Sequence, residues 1–530
     1  MKTSAAAEQL PASHGPGRRG AVSSAPPVTT LARVSRQVHS RWPEFATLLL
    51  YAALVAFAIP YHEPWADEAQ AWQLARTLSL PALFQTYLRY EGSPGLWHFL
   101  LWVLIHLHVG YTGLHWVCGG IATGASALLV LKSPFPRYLK LLLPFTSFLL
   151  FQYAVVARSY VLAPLLLFFV ALCWKKSPLL LALLLGLLAN VALHAAVISA
   201  GLAVVYLIDQ FRDGAARDSR RRSQLLPAAL LLLGLWALAL WTAWPPADLS
   251  AHASSVPVES RAFFLFAFLS LVSGIAEPWI LSVPFWIAIV LWFAAFRKPH
   301  YLLPVLFFAA FSGKVHANWW HVGLLVPLVI TLMWIAWPPP GAKVSEPDAI
   351  GRYALVGMAA MQLLWSGYAI GFDHYRAYSP DLAAAQFLRP FVRQGAPIAV
   401  TSCYDPGCDA CRSVGILPYF DHDIYIDQPD PFWLWSTRNR TEELFDKVLP
   451  AHPAVVIVEM RTPDPDGPIN PSDPRIQLLS RTGYSFTHMF CGTRPEGFRL
   501  AEKSCHLIFQ RVDSSPEIPT TRSSAASAAK

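Results

Sequence analysis

The stretch FATLLLYAALVAFAIP, residues 45–60, contains no charged residue and is the first of many apolar segments in this chain. A hydrocarbon core is crossed by a helix of about 20 predominantly apolar residues, and apolar runs near that length recur along most of the sequence. Hydrophobic residues make up 55% of the 530 residues, whereas charged residues make up only 14%. Soluble proteins carry about 25% charged residues. The composition therefore predicts an all-α polytopic membrane protein.

The basic residues indicate how these segments are oriented. Arg36 and Arg41 precede the first one, and other Lys and Arg residues concentrate in short loops, which the positive-inside rule places in the cytoplasm. This distribution accounts for the net charge of +8 without a nucleic-acid partner. Residues 1–40 have no sustained apolar run and are predicted to form a disordered cytoplasmic tail. The basic loops are residues 132–140, 174–178, 209–224, 297–300 and 338–352.

About eleven spans within residues 41–370 place all of these basic loops on the cytoplasmic side. Residues 61–111 then form the first outer loop. Two further apolar stretches, 95–109 and 262–276, would break the alternation and are short for a perpendicular helix, so we expect them to lie along the outer membrane surface as juxtamembrane helices. This arrangement leaves the C-terminus outside. The predicted spans are residues 45–60, 112–131, 139–153, 160–174, 177–190, 194–209, 225–244, 279–296, 300–313, 319–337 and 352–370.

The composition changes at residue 371, and residues 371–512 are predicted to form a small extracytoplasmic α/β domain. SPDLAAAQFLRPFV has the helical period after a capping Ser, and APIAV, AVVIVEM and CHLIFQRV are typical of strands. Residues 513–530 are predicted to be disordered. One or two disulfides are favoured over a metal knuckle, because a second CxxC pair is missing. The five cysteines concerned are Cys403, Cys408, Cys411, Cys491 and Cys505.

Two sequence elements of the first outer loop carry candidate acidic residues. Asp67 and Glu68 lie in WADEAQAW (65–72), just after Pro64, where acids also favour the start of a helix. Glu91 follows in RYEGSPGLWHF (89–99). Both elements map to the same side of the membrane, so the three carboxylates are candidates for one functional site. The alternative is that Asp67 and Glu68 only mark the start of a helix.

Other polar residues map to the same face. Arg158 and Tyr160 lie in ARSYVLA (157–163), where the alternative for the arginine is a side chain that reaches lipid phosphate. His194, Lys314 and His321 occur in later outer loops, where a packing histidine or an interfacial lysine is the structural alternative. Ionisable residues beside apolar spans are costly, so their convergence on one face favours a functional site.

These elements resemble the polytopic glycosyltransferases of the C-type fold, which include protein O-mannosyltransferases, oligosaccharyltransferase catalytic subunits and bacterial transferases of aminoarabinose or lipopolysaccharide sugars. The resemblance rests on the acidic pair Asp67-Glu68, on EGSPGLW (91–97) and on ARSYVLA (157–163), and covers roughly residues 45–370. It implies an inverting transfer of a sugar from a polyprenyl-phosphate donor to an acceptor at the outer leaflet. The acceptor is a glycan, a lipid or a protein.

Under this resemblance, Asp67 is expected to be the general base, with Glu68 assisting the acceptor or the local structure. Glu91 would organise the loop or the sugar. Arg158, with Lys314 and His321, would bind the phosphate, and Tyr160 and His194 complete the expected substrate-binding residues. No resident cofactor is predicted. A divalent cation shared by acids of two outer loops stays an open alternative, disfavoured because no acid accompanies Arg158.

Two other functions fit a membrane protein with ionisable residues. A transporter or flippase for a lipid-linked or anionic substrate would also carry them, although such proteins tend to show internal repeats and broken helices at mid-membrane. A non-catalytic scaffold would use the outer domain to bind a partner. The composition and the lack of eukaryotic targeting signals favour a bacterial inner membrane.

Overall fold

The computed structural model describes residues 41–212, 219–247, 260–315, 317–338, 345–401, 412–426, 431–432, 449–462 and 472–512. The predicted tails, 1–40 and 513–530, lie outside the described residues, as do Cys403, Cys408 and Cys411. The described chain is mostly helical and ends in a small sheet.

The longer helices follow the apolar segments of the sequence. The α-helices of eight or more residues in the described ranges are α1 (Trp42–Ala58), α2 (Ala66–Thr77), α3 (Leu96–His106), α4 (Tyr111–Lys132), α5 (Leu162–Cys173), α6 (Pro178–Ala189), α7 (Leu193–Arg212), α8 (Ser219–Ala243), α9 (Ser260–Val272), α10 (Ser282–Ala295), α11 (Leu303–Lys314), α12 (Leu325–Ala336), α13 (Glu346–Tyr375), α14 (Asp381–Arg393) and α15 (Pro474–Arg481). Short helical turns join several of them, among them Leu88–Glu91, Ser159–Val161, Trp319–Val322 and Arg412–Tyr419.

Six helical segments of the described chain are long and apolar enough to cross a membrane. The count of about eleven spans is therefore not confirmed. Four other predicted spans fall on the shorter helices α5, α6, α10 and α11, which contain 12 to 14 residues each. The six long segments are Trp42–Tyr61, Tyr111–Lys132, Leu193–Arg212, Ser223–Ala243, Trp319–Ala336 and Glu346–Tyr375.

The predicted span 139–153 is not one continuous helix. The chain forms three short helical pieces here, Arg137–Leu142, Leu143–Phe145 and Phe148–Gln152. Pro144 lies in the second piece, and a proline inside a helix removes one hydrogen bond and clashes with the preceding turn. A continuous spanning helix is therefore not confirmed here, because the prediction counted apolar residues without considering this proline.

The two stretches expected along the membrane surface form short helices. Helix α3 has 11 residues and α9 has 13. At about 1.5 Å per residue, neither reaches across a hydrocarbon core about 30 Å thick. Helices α5, α6, α10 and α11 have similar lengths, so the expected position of α3 and α9 along the membrane surface stays a prediction.

The C-terminal α/β unit was predicted to begin at residue 371, but helix α13 continues to Tyr375, so the domain follows it as residues 376–512. Its strands are β1 (Ile398–Thr401), β2 (Val455–Thr462), β3 (Tyr484–Glu496) and β4 (Arg499–Arg511), in the sheet order β1-β2-β4-β3. Strands β1 and β2 are parallel, and the other two pairs are antiparallel. Cys491 and Cys505 are cross-strand partners joined by a disulfide, as the cysteine pattern predicted for this domain.

The C-terminal domain packs directly on helix α2. Ala66, the first residue of that helix, belongs to the apolar core of the domain. The Arg76 guanidinium donates a hydrogen bond to the Phe420 carbonyl oxygen at 2.6 Å, and the Gln73 amide donates to the Pro431 carbonyl oxygen at 2.9 Å. The helix that carries Asp67 and Glu68 is thus held between the membrane helices and the C-terminal domain.

Candidate functional site

A cavity of about 330 Å³ lies beside the start of helix α2. Its walls come from α2, from the Glu91 loop and the start of α3, from the Arg158 turn, from the start of α7, and from the segment before α12, with Val414 of the C-terminal domain completing them. Six of the eight predicted site residues line it: Asp67, Glu91, Arg158, Tyr160, His194 and His321.

An ion pair joins two of these residues. Nη1 of Arg158 lies 3.0 Å from Oδ2 of Asp67, with 19% and 40% of the two side chains exposed. The guanidinium carbon also lies 4.6 Å from the ring centre of Trp320 and 5.3 Å from that of Trp65. Aromatic faces attract a guanidinium and restrict its motion. Arg158 is therefore a fixed cation at the cavity wall.

Glu91 is hydrogen-bonded to helix α2, which also carries Asp67. The Gln70 amide, one turn after Asp67, donates a hydrogen bond to Oε1 of Glu91 at 3.0 Å. Burial raises the pKa of Glu91 to about 7, against the lowering effect of the Gln70 hydrogen bond and with a smaller contribution from the charge of Asp67. The cavity therefore holds two carboxylates in different environments, one paired with a cation and one that titrates near neutrality.

Two imidazoles and a phenol form another part of the wall. The rings of His194 and His321 are stacked with their centres 4.1 Å apart, and the ring of Tyr160 meets His321 edge-on at 5.6 Å. Nδ1 of His321 accepts a hydrogen bond from the Asn318 backbone N–H at 3.0 Å, which orients the ring. These contacts bring together segments that are far apart in sequence.

Lys314 does not belong to the cavity lining. It is the last residue of helix α11 and is exposed, whereas Val315 and Asn318 just after it do line the cavity. The sequence placed Lys314 near the right loop but did not show which residues of that loop face the cavity. The prediction that Lys314 binds phosphate is therefore not supported.

Glu68 is buried away from the cavity, with 1% of its surface exposed. Its carboxylate contacts four nitrogens: the rings of His62 at 3.3 Å and His115 at 3.0 Å, and the backbone N–H groups of Trp65 at 3.2 Å and Ala157 at 2.6 Å. The bond to Trp65 is that of a glutamate that caps its own helix. We therefore correct its assignment: Glu68 fits the structural role and not the catalytic one.

The cluster around Glu68 also reaches the last long helix. Nδ1 of His62 lies 2.9 Å from Oδ2 of Asp373, which belongs to α13. Burial disfavours a charged His62, but the carboxylates of Asp373 and Glu68 outweigh it and raise the His62 pKa to about 10. Burial also opposes the charge of Glu68, yet its hydrogen bonds with His115 and His62 hold its pKa well below the usual range.

His62, His115 and Asp373 were missed by the sequence reasoning. His62 is visible in YHEPWADE (61–68), but its partner Asp373 lies 311 residues later, and no motif connects them. His98 was also missed, although it lies in the quoted segment RYEGSPGLWHF and lines the cavity.

One group of the described residues has the donor atoms for a metal ion. Ring nitrogens of His62 and His115 and a carboxylate oxygen of Glu68 all lie within 4.8 Å of one another. Two histidines and a glutamate are a known zinc-binding set. Both oxygens of Glu68, however, already accept backbone hydrogen bonds. The contacts therefore favour a hydrogen-bonded cluster, and we assign no metal to it.

An apolar groove of about 520 Å³ lies next to the polar cavity. Leu96 lines the groove, while Trp97 and His98 line the cavity, so the start of α3 is a shared wall. Likewise, Asn190 lines the groove and Leu193 lines the cavity. The groove is lined by Leu80, Pro81, Phe84, Gln85, Leu96, Phe99, Leu187, Asn190, Leu235, Leu238 and Trp241.

Comparison with known proteins gives no assignment. No protein-family model matches the chain, and neither a curated protein nor a solved structure matches it.

Proposed function

We propose that this protein is a membrane glycosyltransferase that moves a sugar from a polyprenyl-phosphate donor to an acceptor hydroxyl. The observation that carries the proposal is the shared lining of one cavity by Asp67, Glu91 and Arg158, with an apolar groove behind the same wall. A carboxylate and a fixed guanidinium are the groups that a displacement at a phosphate-linked sugar carbon requires.

The adjoining groove and cavity match an amphiphilic donor. An apolar lining such as that around Phe84, Leu235 and Trp241 favours a hydrocarbon chain, because its burial removes apolar surface from water. The polar cavity beyond Leu96 would then receive the phosphate and the sugar. Six helical segments of the described chain are long and apolar enough to cross a membrane, which would bring such a donor within reach, since a polyprenyl chain is dissolved in the lipid.

In the proposed step the acceptor oxygen attacks the anomeric carbon. The bond from that carbon to the phosphate oxygen breaks, the acceptor proton passes to Asp67, and polyprenyl phosphate leaves with its charge stabilised by Arg158. The ion pair between these two side chains implies that the donor binds before the proton is transferred to Asp67. A donor phosphate bound to Arg158 competes with Asp67 for the guanidinium, which frees the Asp67 carboxylate to receive the acceptor proton once the donor is in place.

Glu91 has a different task in this scheme. A protonated Glu91 donates a hydrogen bond to the bound ligand and adds no negative charge beside the donor phosphate. Pairs of carboxylates whose environments separate their pKa values commonly divide acid, base and binding roles in this way.

We place the protein in a bacterial inner membrane, with the N-terminus in the cytoplasm, the C-terminal domain outside and transfer at the outer face. The basic loops support this orientation, because they alternate with the apolar segments as the positive-inside rule requires. No divalent cation takes part in the proposed step.

The test compares lipid-linked sugars and surface glycans in a strain that lacks the protein with the same strain complemented by wild-type protein or by Asp67→Asn. Accumulation of one polyprenyl-phosphate sugar in the deletion strain, cleared only by the wild type, is the expected result. Unchanged lipid-linked sugars and glycans would contradict the proposal. Sugar-free movement of the lipid in proteoliposomes would favour the transporter instead.

A further inference from the structure

His98 occupies an unusual position at the wall of the cavity. It is the third residue of helix α3 and lines the cavity, with 2% of its surface exposed. Within the described part of the chain, neither of its ring nitrogens has a hydrogen-bond partner. Buried polar side-chain atoms are nearly always hydrogen-bonded, and leaving them unpaired costs folding free energy.

The surrounding backbone holds His98 in this place. The Leu96 N–H donates a hydrogen bond to the Asn190 carbonyl oxygen at 3.2 Å, which fixes the start of α3 against the segment before α7. Gly95 packs so tightly that a Cβ atom there would lie 2.5 Å from the ring of Phe84. The position of the unpaired ring is therefore determined by the fold.

The chemistry of this ring differs from that of the charged groups in the cavity. Burial lowers the pKa of His98 to about 4, so the ring is neutral at physiological pH. A neutral imidazole offers one hydrogen-bond donor and one acceptor. A sugar hydroxyl, which also donates and accepts, is its natural complement, whereas a phosphate needs donors only and has Arg158 available.

We infer that His98 is a ligand-contacting residue that hydrogen-bonds a hydroxyl of the sugar carried by the lipid-linked donor. This inference rests on the proposed function. A sugar hydroxyl bound in the cavity would supply the partner that the described part of the protein does not provide. Leu96 borders the apolar groove and Glu91 lines the cavity, so the site lies between the expected positions of the lipid chain and of the reacting centre.

The experiment measures binding to purified full-length protein in nanodiscs. The probes are undecaprenyl phosphate and its conjugates with glucose, mannose, arabinose and 4-aminoarabinose, and the conjugate that the wild type binds best is used for the variants. His98→Phe keeps the ring and removes its nitrogens, and His98→Gln keeps a donor and an acceptor. His106→Phe is the matched control, because His106 is an exposed residue of the same helix whose ring makes a local hydrogen bond to the Trp102 carbonyl oxygen.

We expect His98→Phe to weaken binding of the sugar conjugate about tenfold, the effect of one lost hydrogen bond to a ligand. Binding of undecaprenyl phosphate itself should not change, and His98→Gln should restore most of the loss. Without donor, the temperature of unfolding of His98→Phe should equal or exceed that of the wild type, since no internal hydrogen bond is lost and two unpaired polar atoms are removed.

Equal loss of binding for undecaprenyl phosphate and the conjugate would overturn the sugar contact, and so would unchanged binding of the conjugate by His98→Phe. Failure of the wild type to bind any conjugate better than undecaprenyl phosphate would overturn the proposed function, and the His98 contact with it. The two failures are therefore distinguishable.

Discussion

Asp67 and Arg158 form an ion pair across the cavity wall, with Oδ2 of the aspartate 3.0 Å from Nη1 of the arginine. The residue proposed as base and the residue proposed to bind phosphate are thus each other's partner before a donor arrives. Because both side chains keep some exposure to the cavity, an anionic ligand can reach the guanidinium. This relationship makes the role of Asp67 testable apart from that of its neighbour Glu68.

We expect Asp67→Asn to lower sugar transfer by about 10²–10⁴-fold, the usual contribution of a general base. Binding of the donor should be retained or strengthened, because Arg158 loses a competing carboxylate. Transfer rates and donor affinity of the purified variant provide the measurement. Glu44→Gln is the matched control, since it removes a carboxylate from an ion pair with Arg137 that lies outside the cavity lining. Wild-type turnover of Asp67→Asn would refute the base assignment.

The sequence could predict that Asp67, Glu91 and Arg158 lie near one another. It could not predict which of Asp67 and Glu68 faces the cavity. The positive-inside rule, applied to the basic loops, assigned Asp67, Glu91 and Arg158 to the same side of the membrane, and these three residues line one cavity. Adjacent helix residues point about 100° apart, however, and the sequence does not show which of two neighbouring acids faces a cavity. That choice depends on His115 and Asp373, which the fold brings to one side of helix α2.

The number of spans was less predictable than the site. Hydropathy marks an apolar segment but does not tell a spanning helix from a shorter helix buried among others, such as α6 with its 12 residues. Pro144 interrupts one segment, and the sequence contained that information. The edge-on and stacked contacts of His194, Tyr160 and His321 depend on the packing of three segments that are far apart in sequence, and no local pattern predicts them.

The pKa of Glu91 gives a pH dependence with a definite sign. Its pKa is raised from 4.5 to about 7 in the folded protein, so it loses its proton as the pH rises through 7. Donor affinity should then fall, because ionised Glu91 repels the phosphate and no longer donates a hydrogen bond. Donor binding measured from pH 5.5 to 8.5 should show this decrease in the wild type. In Glu91→Gln, the affinity should stay at its low-pH value, and a parallel decrease there would exclude Glu91 as its source.

The cluster around Glu68 should govern stability. Glu68→Gln leaves a buried His62 without one of its two carboxylates, and removal of one member of a buried pair costs about 3–5 kcal/mol. We therefore expect a clearly lower temperature of unfolding for Glu68→Gln and little change for Asp67→Asn, although the two residues are adjacent. Equal effects of the two substitutions on unfolding would contradict the structural assignment of Glu68.

The same cluster predicts how stability changes at alkaline pH. The pKa of His62 is raised from 6.5 to about 10 on folding, so its stabilising contribution is complete below 6.5 and is lost as the pH rises through 10. Unfolding measured between pH 6.5 and 10 should show decreasing stability in the wild type. The decrease should be smaller in Glu68→Gln, because one of the carboxylates that raise this pKa is gone. An equal decrease in both proteins would show that another group is responsible.

Metal removal separates a hydrogen-bonded cluster from a metal centre at His62, Glu68 and His115. Each oxygen of Glu68 already accepts a backbone N–H, from Trp65 or from Ala157, in addition to its contact with a histidine. We therefore expect purified protein to contain no stoichiometric zinc, and its temperature of unfolding to be the same before and after treatment with EDTA. His115→Gln keeps a hydrogen-bond donor but is a poor zinc ligand, so its stability should remain near that of the wild type. A temperature of unfolding that falls in EDTA and recovers on addition of zinc, only in protein with His115, would establish a metal site in place of the cluster.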